Sequence, residues 1–145
     1  ILVLFTGCQR PGAPPASAVS GPASPAGWEI RYNAALALAR RGSPHVKEPE
    51  VWDSLTEMLD EDQQLRNFHS KTDDGREVTD ETGARTTVIG ALQAVQELHR
   101  KQPQMDLSGL KEPIEKLTHG PNSTVAVQAR QARLALFGAS PSASR

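Results

Sequence analysis

The sequence predicts an all-α chain, a short α-solenoid of about five helices or two and a half repeats, behind a disordered N-terminal linker. Three observations carry that prediction. Apolar residues recur at spacings of three and four, without a sustained alternation of period two. Caps and prolines bracket each periodic stretch. Three of the stretches repeat one alanine-bearing pattern at intervals typical of stacked helix pairs.

Each helix has its own boundary signals. Ser24-Pro25 offers an N-cap and a proline at the first helical position. The helix it opens runs to about Arg41 with Ile30, Ala34, Ala37 and Leu38 on one face, and Gly42 closes it. Pro49 starts a second helix carrying Val51, Trp52, Leu55, Met58, Leu59 and Leu65, which ends between Phe68 and Lys71. Thr72-Asp73-Asp74-Gly75 is a turn whose flanks read as too polar for a stable hairpin.

Thr79 or Asp80 caps the third helix, which places Ala84, Val88, Ala91, Leu92, Val95 and Leu98 on one face and reaches about Lys101. Ser108 caps a short fourth helix with Leu110, Ile114 and Leu117, and Pro113 in its second turn is expected to bend it. Asn122 caps the last helix, with Val125, Ala129, Ala132 and Leu136, and Gly138 stops it.

Ile30, Ala34, Ala37 is matched at the same offsets by Ala84, Val88, Ala91 and by Val125, Ala129, Ala132. Small residues at these positions let helices approach to the short end of the ~8–10 Å range. On these residues the chain resembles HEAT (armadillo-like) repeats over roughly 28–138. Ile30-Arg31-Tyr32-Asn33-Ala34-Ala35-Leu36-Ala37-Leu38 looks like the second, inner helix of such a repeat, and Ala84-Arg85 with Ala91-Leu92 repeats it. The resemblance implies that Arg31 and Arg85 pair with acidic residues of neighbouring units. The last unit departs from the pattern, with Ala126 where Arg is expected and Arg133 where Leu is expected.

The N-terminus carries a different signal. Ile1-Leu2-Val3-Leu4-Phe5-Thr6-Gly7-Cys8 is an apolar run closing on small residues and the only cysteine. Residues 1–8 resemble a truncated bacterial lipoprotein signal, the lipobox, in which the cysteine thiol accepts the lipid; this implies lipidation of Cys8. Phe5 stands where Leu is usual, and Ile rather than Met at residue 1 reads as a lost start. Of the 19 residues Gln9–Gly27, 16 are Pro, Ala, Ser or Gly, so 9–24 reads as a linker unable to bury enough apolar surface to order itself. The helical domain then spans 25–138, and 139–145 is a second low-complexity tail.

Chemistry is sparse. Sixteen Lys+Arg against seventeen Asp+Glu leave a net charge of -1, which provides no overall field for nucleic acid. There is no phosphate-loop, dinucleotide, zinc-protease, hydrolase-elbow or paired-cysteine motif. His45, His69, His99 and His119 lie far apart near predicted helix ends, where a helix dipole explains a cationic group better than a metal does. Glu48, Glu50, Asp53, Glu57, Asp60, Glu61 and Asp62 read as a solvated helix face, with docking of a basic partner as the rival.

The expected function is accordingly that of a non-catalytic protein-binding scaffold with no metal and no cofactor. It is lipid-anchored through Cys8 in the bacterial cell envelope, on the periplasmic or extracellular side, and presents the Arg31 and Arg85 face of its inner helices to another protein. Neither nucleic acid nor a small-molecule substrate is indicated. Two rivals stand beside it: a regulatory or accessory domain of an enzyme, or a HEAT-type lyase-like protein handling a small cofactor, which needs a deep apolar pocket among the inner helices; and a purely structural spacer.

Overall fold

The computed structural model describes residues 26–138. The Cys8 motif, the 9–24 linker, the Ser24-Pro25 cap and the 139–145 tail lie outside the described residues. Within them the chain forms six α-helices and one short two-stranded ribbon: α1 (Ala26–Arg41), α2 (Pro49–Met58), α3 (Glu61–Asn67), β1 (His69–Lys71), β2 (Glu77–Thr79), α4 (Glu81–Lys101), α5 (Lys111–Thr118) and α6 (Ser123–Phe137). Single 3-10 turns at Pro44–Lys47 and Ser108–Leu110 lead into α2 and α5.

The architecture is all-α with α4 at its centre. One side of α4 packs on α1 and another on α6, so these three helices lie side by side in the order α1–α4–α6. Helices α2 and α3 cover α1 and α4, and α5 covers α6. The core runs through the whole assembly: Val88, Leu92, Val95 and Leu98 of α4 are fully buried, as are Leu55 and Met58 of α2, Ile114 of α5 and Val125 and Ala129 of α6. Burial of each large side chain among these contributes ~1.5–3 kcal/mol before the entropy of ordering is subtracted.

Caps follow the sequence closely where the signal is local. Asp80 accepts from the Gly83 amide (2.9 Å) at the start of α4, and Asn122 accepts from the Thr124 and Val125 amides (3.1 and 3.2 Å) at the start of α6. Gly42 ends α1 at φ +71°, a left-handed conformation that disfavours a side chain.

Five expectations are corrected. The stripe Ile30, Ala34, Ala37 of α1 faces water, and Ile30 is 72% exposed; the buried residues are Tyr32, Ala35 and Ala39. With alanine at 34, 35, 37 and 39, α1 has two faces of similar smallness, and the aromatic pair Trp28 and Tyr32 decides which turns inward, because aromatics bury the largest area. The common register is therefore Trp28, Tyr32, Ala35, Ala39 against Ala84, Val88, Ala91, Val95 and Val125, Ala129, Ala132, Leu136. All of these are buried or half-buried.

The second helix is two. Asp60 adopts an extended backbone and accepts from the Gln63 amide (3.2 Å), so it caps α3 rather than continuing α2. The turn at Gly75 does close a hairpin, with His69 opposite Thr79 and Lys71 opposite Glu77. Side-chain bonds of Thr72 and Arg76 close the turn, and the Asp80 N–H donated to Phe68 O (3.0 Å) joins the two ends of the polar ribbon where α3 stops and α4 starts. Ser108 opens a 3-10 turn instead of capping α5, and Pro113 falls in the first turn of α5, where its missing N–H has no helical partner to lose.

Candidate functional site

The packing of α1 on α4 leaves a groove of about 440 Å³ along their seam. It is built from spacing on three elements. Trp28, Tyr32 and Leu36 follow one another at four-residue steps on α1, and Ile89 and Gly90 face them from α4. Phe68, the residue that ends α3, closes the floor. Its ring fits because position 83 lacks a side chain: a Cβ there would lie 2.5 Å from Phe68 Cε1.

The three aromatics pack together as one shallow cup, with Tyr32 buried and Trp28 and Phe68 half-buried. Trp28 stacks at a tilt on Tyr32 with ring centroids 5.2 Å apart and meets Phe68 edge-on at 5.0 Å. They are half of the chain's six aromatic residues. The Tyr32 hydroxyl accepts from Gln64 Nε2 (3.1 Å) and Asn67 Nδ2 (3.0 Å), fixing the ring from below. Burial pushes the phenol above its ordinary value of 10.0, with the Glu57 carboxylate adding to the shift and the Gln64 and Asn67 hydrogen bonds opposing it. The two threonines in the wall donate to carbonyls of their own helix, Thr86 to Thr82 O (2.8 Å) and Thr87 to Gly83 O (3.0 Å). Neither is poised to exchange a proton with a bound group. The groove offers apolar contact and a cation, Arg40, at its far end.

The structure does not bring Arg31 and Arg85 to one site. Arg31 is exposed and pairs with Glu57 of α2 at 3.3 Å. Arg85 lines a separate depression of about 260 Å³ with Glu61, Glu81 and Asn122, and its buried Nε has no partner. Burial, and then the Asp62 charge, raises the Glu61 carboxyl above its ordinary value, and Arg85 opposes that shift. Arg133, placed where the repeat pattern expects Leu, makes the corresponding tie between α6 and α5 by a forked contact to both Glu115 oxygens (3.1 and 3.3 Å).

Part of the acidic stretch is engaged: Glu48 with His45 at 2.6 Å, Glu57 with Arg31, Asp60 as the α3 cap, and Asp60 and Asp62 with Lys116 at 4.0 and 3.6 Å. Among the described residues no three His, Cys, Asp or Glu side chains converge on a position that could hold a metal. No helix among them is long and apolar enough to cross a membrane. Sequence reasoning missed the groove, although Trp28 and Tyr32 at i and i+4 in a chain poor in aromatics were its visible signal. No protein-family model, curated protein or solved structure matches the chain.

Proposed function

We propose that this chain is a non-catalytic protein-binding module, a short stack of HEAT-like helix pairs held at the bacterial cell envelope by a lipid on Cys8. The α1–α4 groove is its docking site. The observation that carries this reading is that half the chain's aromatics, half-buried Trp28 and Phe68 with buried Tyr32, line one groove that has Arg40 at its other end. Aromatic and arginine side chains are the groups that dominate binding energy at protein interfaces. The side-by-side order α1–α4–α6 and the shared positions at +4, +7 and +11 support the repeat reading, because stacked layers bury equivalent stripes. The apolar run before Cys8 and the linker behind it support the anchor.

Two measurements test the two halves. Metabolic labelling with a fatty acid is expected to mark the protein and to fail in Cys8→Ser; equal label in both removes the anchor. Capture from detergent-solubilised envelope is expected to recover a partner with the native chain and to lose it with Gly90→Leu, which fills the groove. Equal recovery by both proteins removes the groove as the docking site. The groove's volume favours a second reading, a small apolar ligand or cofactor, since ligand pockets run from ~300 to 1,000 Å³. Its long open side along the helix seam suits a partner's side chain better.

A further inference from the structure

Resting on the docking role proposed for the α1–α4 groove, we infer the chemistry of its occupant: an acidic peptide segment of a partner protein, which seats an aliphatic or aromatic side chain in the Trp28–Tyr32–Phe68 cup and a carboxylate on Arg40. The cup accounts for the apolar part. The acidic part follows from how the arginines are used. Arg31, Arg76 and Arg133 each hold a carboxylate, of Glu57, Asp74 and Glu115, whereas Arg40, Arg41, Arg66, Arg85, Arg100 and Arg130 hold none among the described residues, and of these six only Arg40 lines the groove.

The usual explanation for an arginine in the last turn of a helix is compensation of the helix dipole. That explanation fits the Arg40 backbone position but not its guanidinium. The Arg40 carbonyl already receives Lys101 Nζ from the end of α4. The guanidinium instead reaches back over Gly90, where a Cβ would stand 4.0 Å from Nη2. Gly90 lies about three helical turns before Lys101, so the charge is turned towards the cup and away from the helix terminus.

The charges around it fit the same direction. Arg41 follows on α1, and Arg100 and His99 line the adjoining depression between α4 and α6, which shares Gln93 with the groove. The carboxylates in reach are Glu97 in that depression and Glu29 at the opposite end of the groove. Glu29 is eleven residues, about 16 Å of helix, before Arg40 and gives the site a polarity that orients a bound segment. Residues 1–25 and 139–145 contain no Asp or Glu, so the flanking segments of this chain have no side-chain carboxylate to offer. The carboxylate proposed is a partner protein's.

The test selects random twelve-residue peptides displayed on phage against the immobilised full chain, then titrates the leading synthetic peptide. Enriched peptides are expected to pair Leu, Ile, Phe or Trp with a nearby Asp or Glu. Arg40→Glu is expected to weaken the leading peptide about tenfold or more, the usual scale for losing a charge-assisted hydrogen bond. Exchanging the peptide's acid for Lys is expected to recover much of that loss. Gly90→Leu is expected to abolish binding while its melting temperature stays at or above that of the native chain. Apolar peptides indifferent to Arg40→Glu would overturn the acidic occupant while leaving the groove as a docking site. Binding that survives Gly90→Leu, or no enrichment at all, would overturn both. A mass of two chains in solution that reverts to one in Arg40→Glu would mean a second copy supplies the carboxylate, and would overturn the partner proposed here.

Discussion

Tyr32→Phe isolates the hydroxyl that holds the aromatic cup to α3. In the native chain this oxygen accepts two neutral hydrogen bonds, from Gln64 Nε2 at 3.1 Å and Asn67 Nδ2 at 3.0 Å. A typical net contribution of ~0.5–1.5 kcal/mol per bond sets a ceiling of roughly 3 kcal/mol. The surroundings lower it. Gln64 Nε2 keeps its bond to Glu57 O (2.8 Å), leaving one N–H orphaned in a buried place, and half-buried Asn67 can turn to water. The expected loss is therefore about 1–2 kcal/mol, or a fall in Tm of roughly 4–12 °C for a domain near this size. Urea denaturation at neutral pH, followed by tryptophan fluorescence, measures it, and Trp28 reports on the cup directly. Asn67→Ala is expected to cost less when combined with Tyr32→Phe than in the native chain, because the two groups share a bond. An unchanged denaturation midpoint, or full additivity of the two substitutions, would refute the reasoning.

The same phenol sets an alkaline limit. Its ionisation is pushed above 10.0 by burial, so the folded state holds the proton longer than the unfolded one. Stability is full below about pH 10 and falls as pH rises from there towards the folded value. Since Tyr32 is the only tyrosine, absorbance at the tyrosinate band reads it alone; a native-state midpoint at or below 10 would contradict the burial. Ile30→Gln is expected to change stability by no more than about 0.5 kcal/mol, as at an ordinary surface position, whereas Ala91→Phe overpacks the α1–α4–α6 seam and costs about 1–3 kcal/mol or more. Thermal melts of both variants check this, and equal losses would restore the register that the structure moved. Gly42→Ala forces a side chain to φ +71° with its Cβ 2.8 Å from Lys101 Cβ. A loss of about 1–2 kcal/mol is expected from the left-handed backbone alone, read from the same melts.

The stretches legible in advance were those governed by neighbours in sequence. Asp80, Asn122, Gly42 and Gly138 bound α1, α4 and α6 because capping bonds and left-handed glycines act within four residues. The stripes of α4 and α6 were legible too, since Val88, Leu92, Val95 and Val125 leave each helix a single apolar face. Helix α1 was not, because its alanines make two faces nearly equal and the pair Trp28 and Tyr32, which decides between them, meets its partners only beside α4 and α3. The break at Asp60 and the hairpin at Gly75 were hidden for a related reason. One uses an acid that reads equally well as surface charge, and the other borrows Phe68 O, a partner at the end of the preceding helix.

The helical class, most helix ends and the faces of α4 and α6 thus follow from the residue order, through contacts within one or two turns. Folding in three dimensions chose which side of α1 is buried, joined Phe68 to Trp28 and Tyr32, and laid the Arg40 guanidinium over Gly90. Phe68 is 40 residues from Trp28 and Gly90 is 50 from Arg40, so these relations exist only once separate helices have chosen their neighbours.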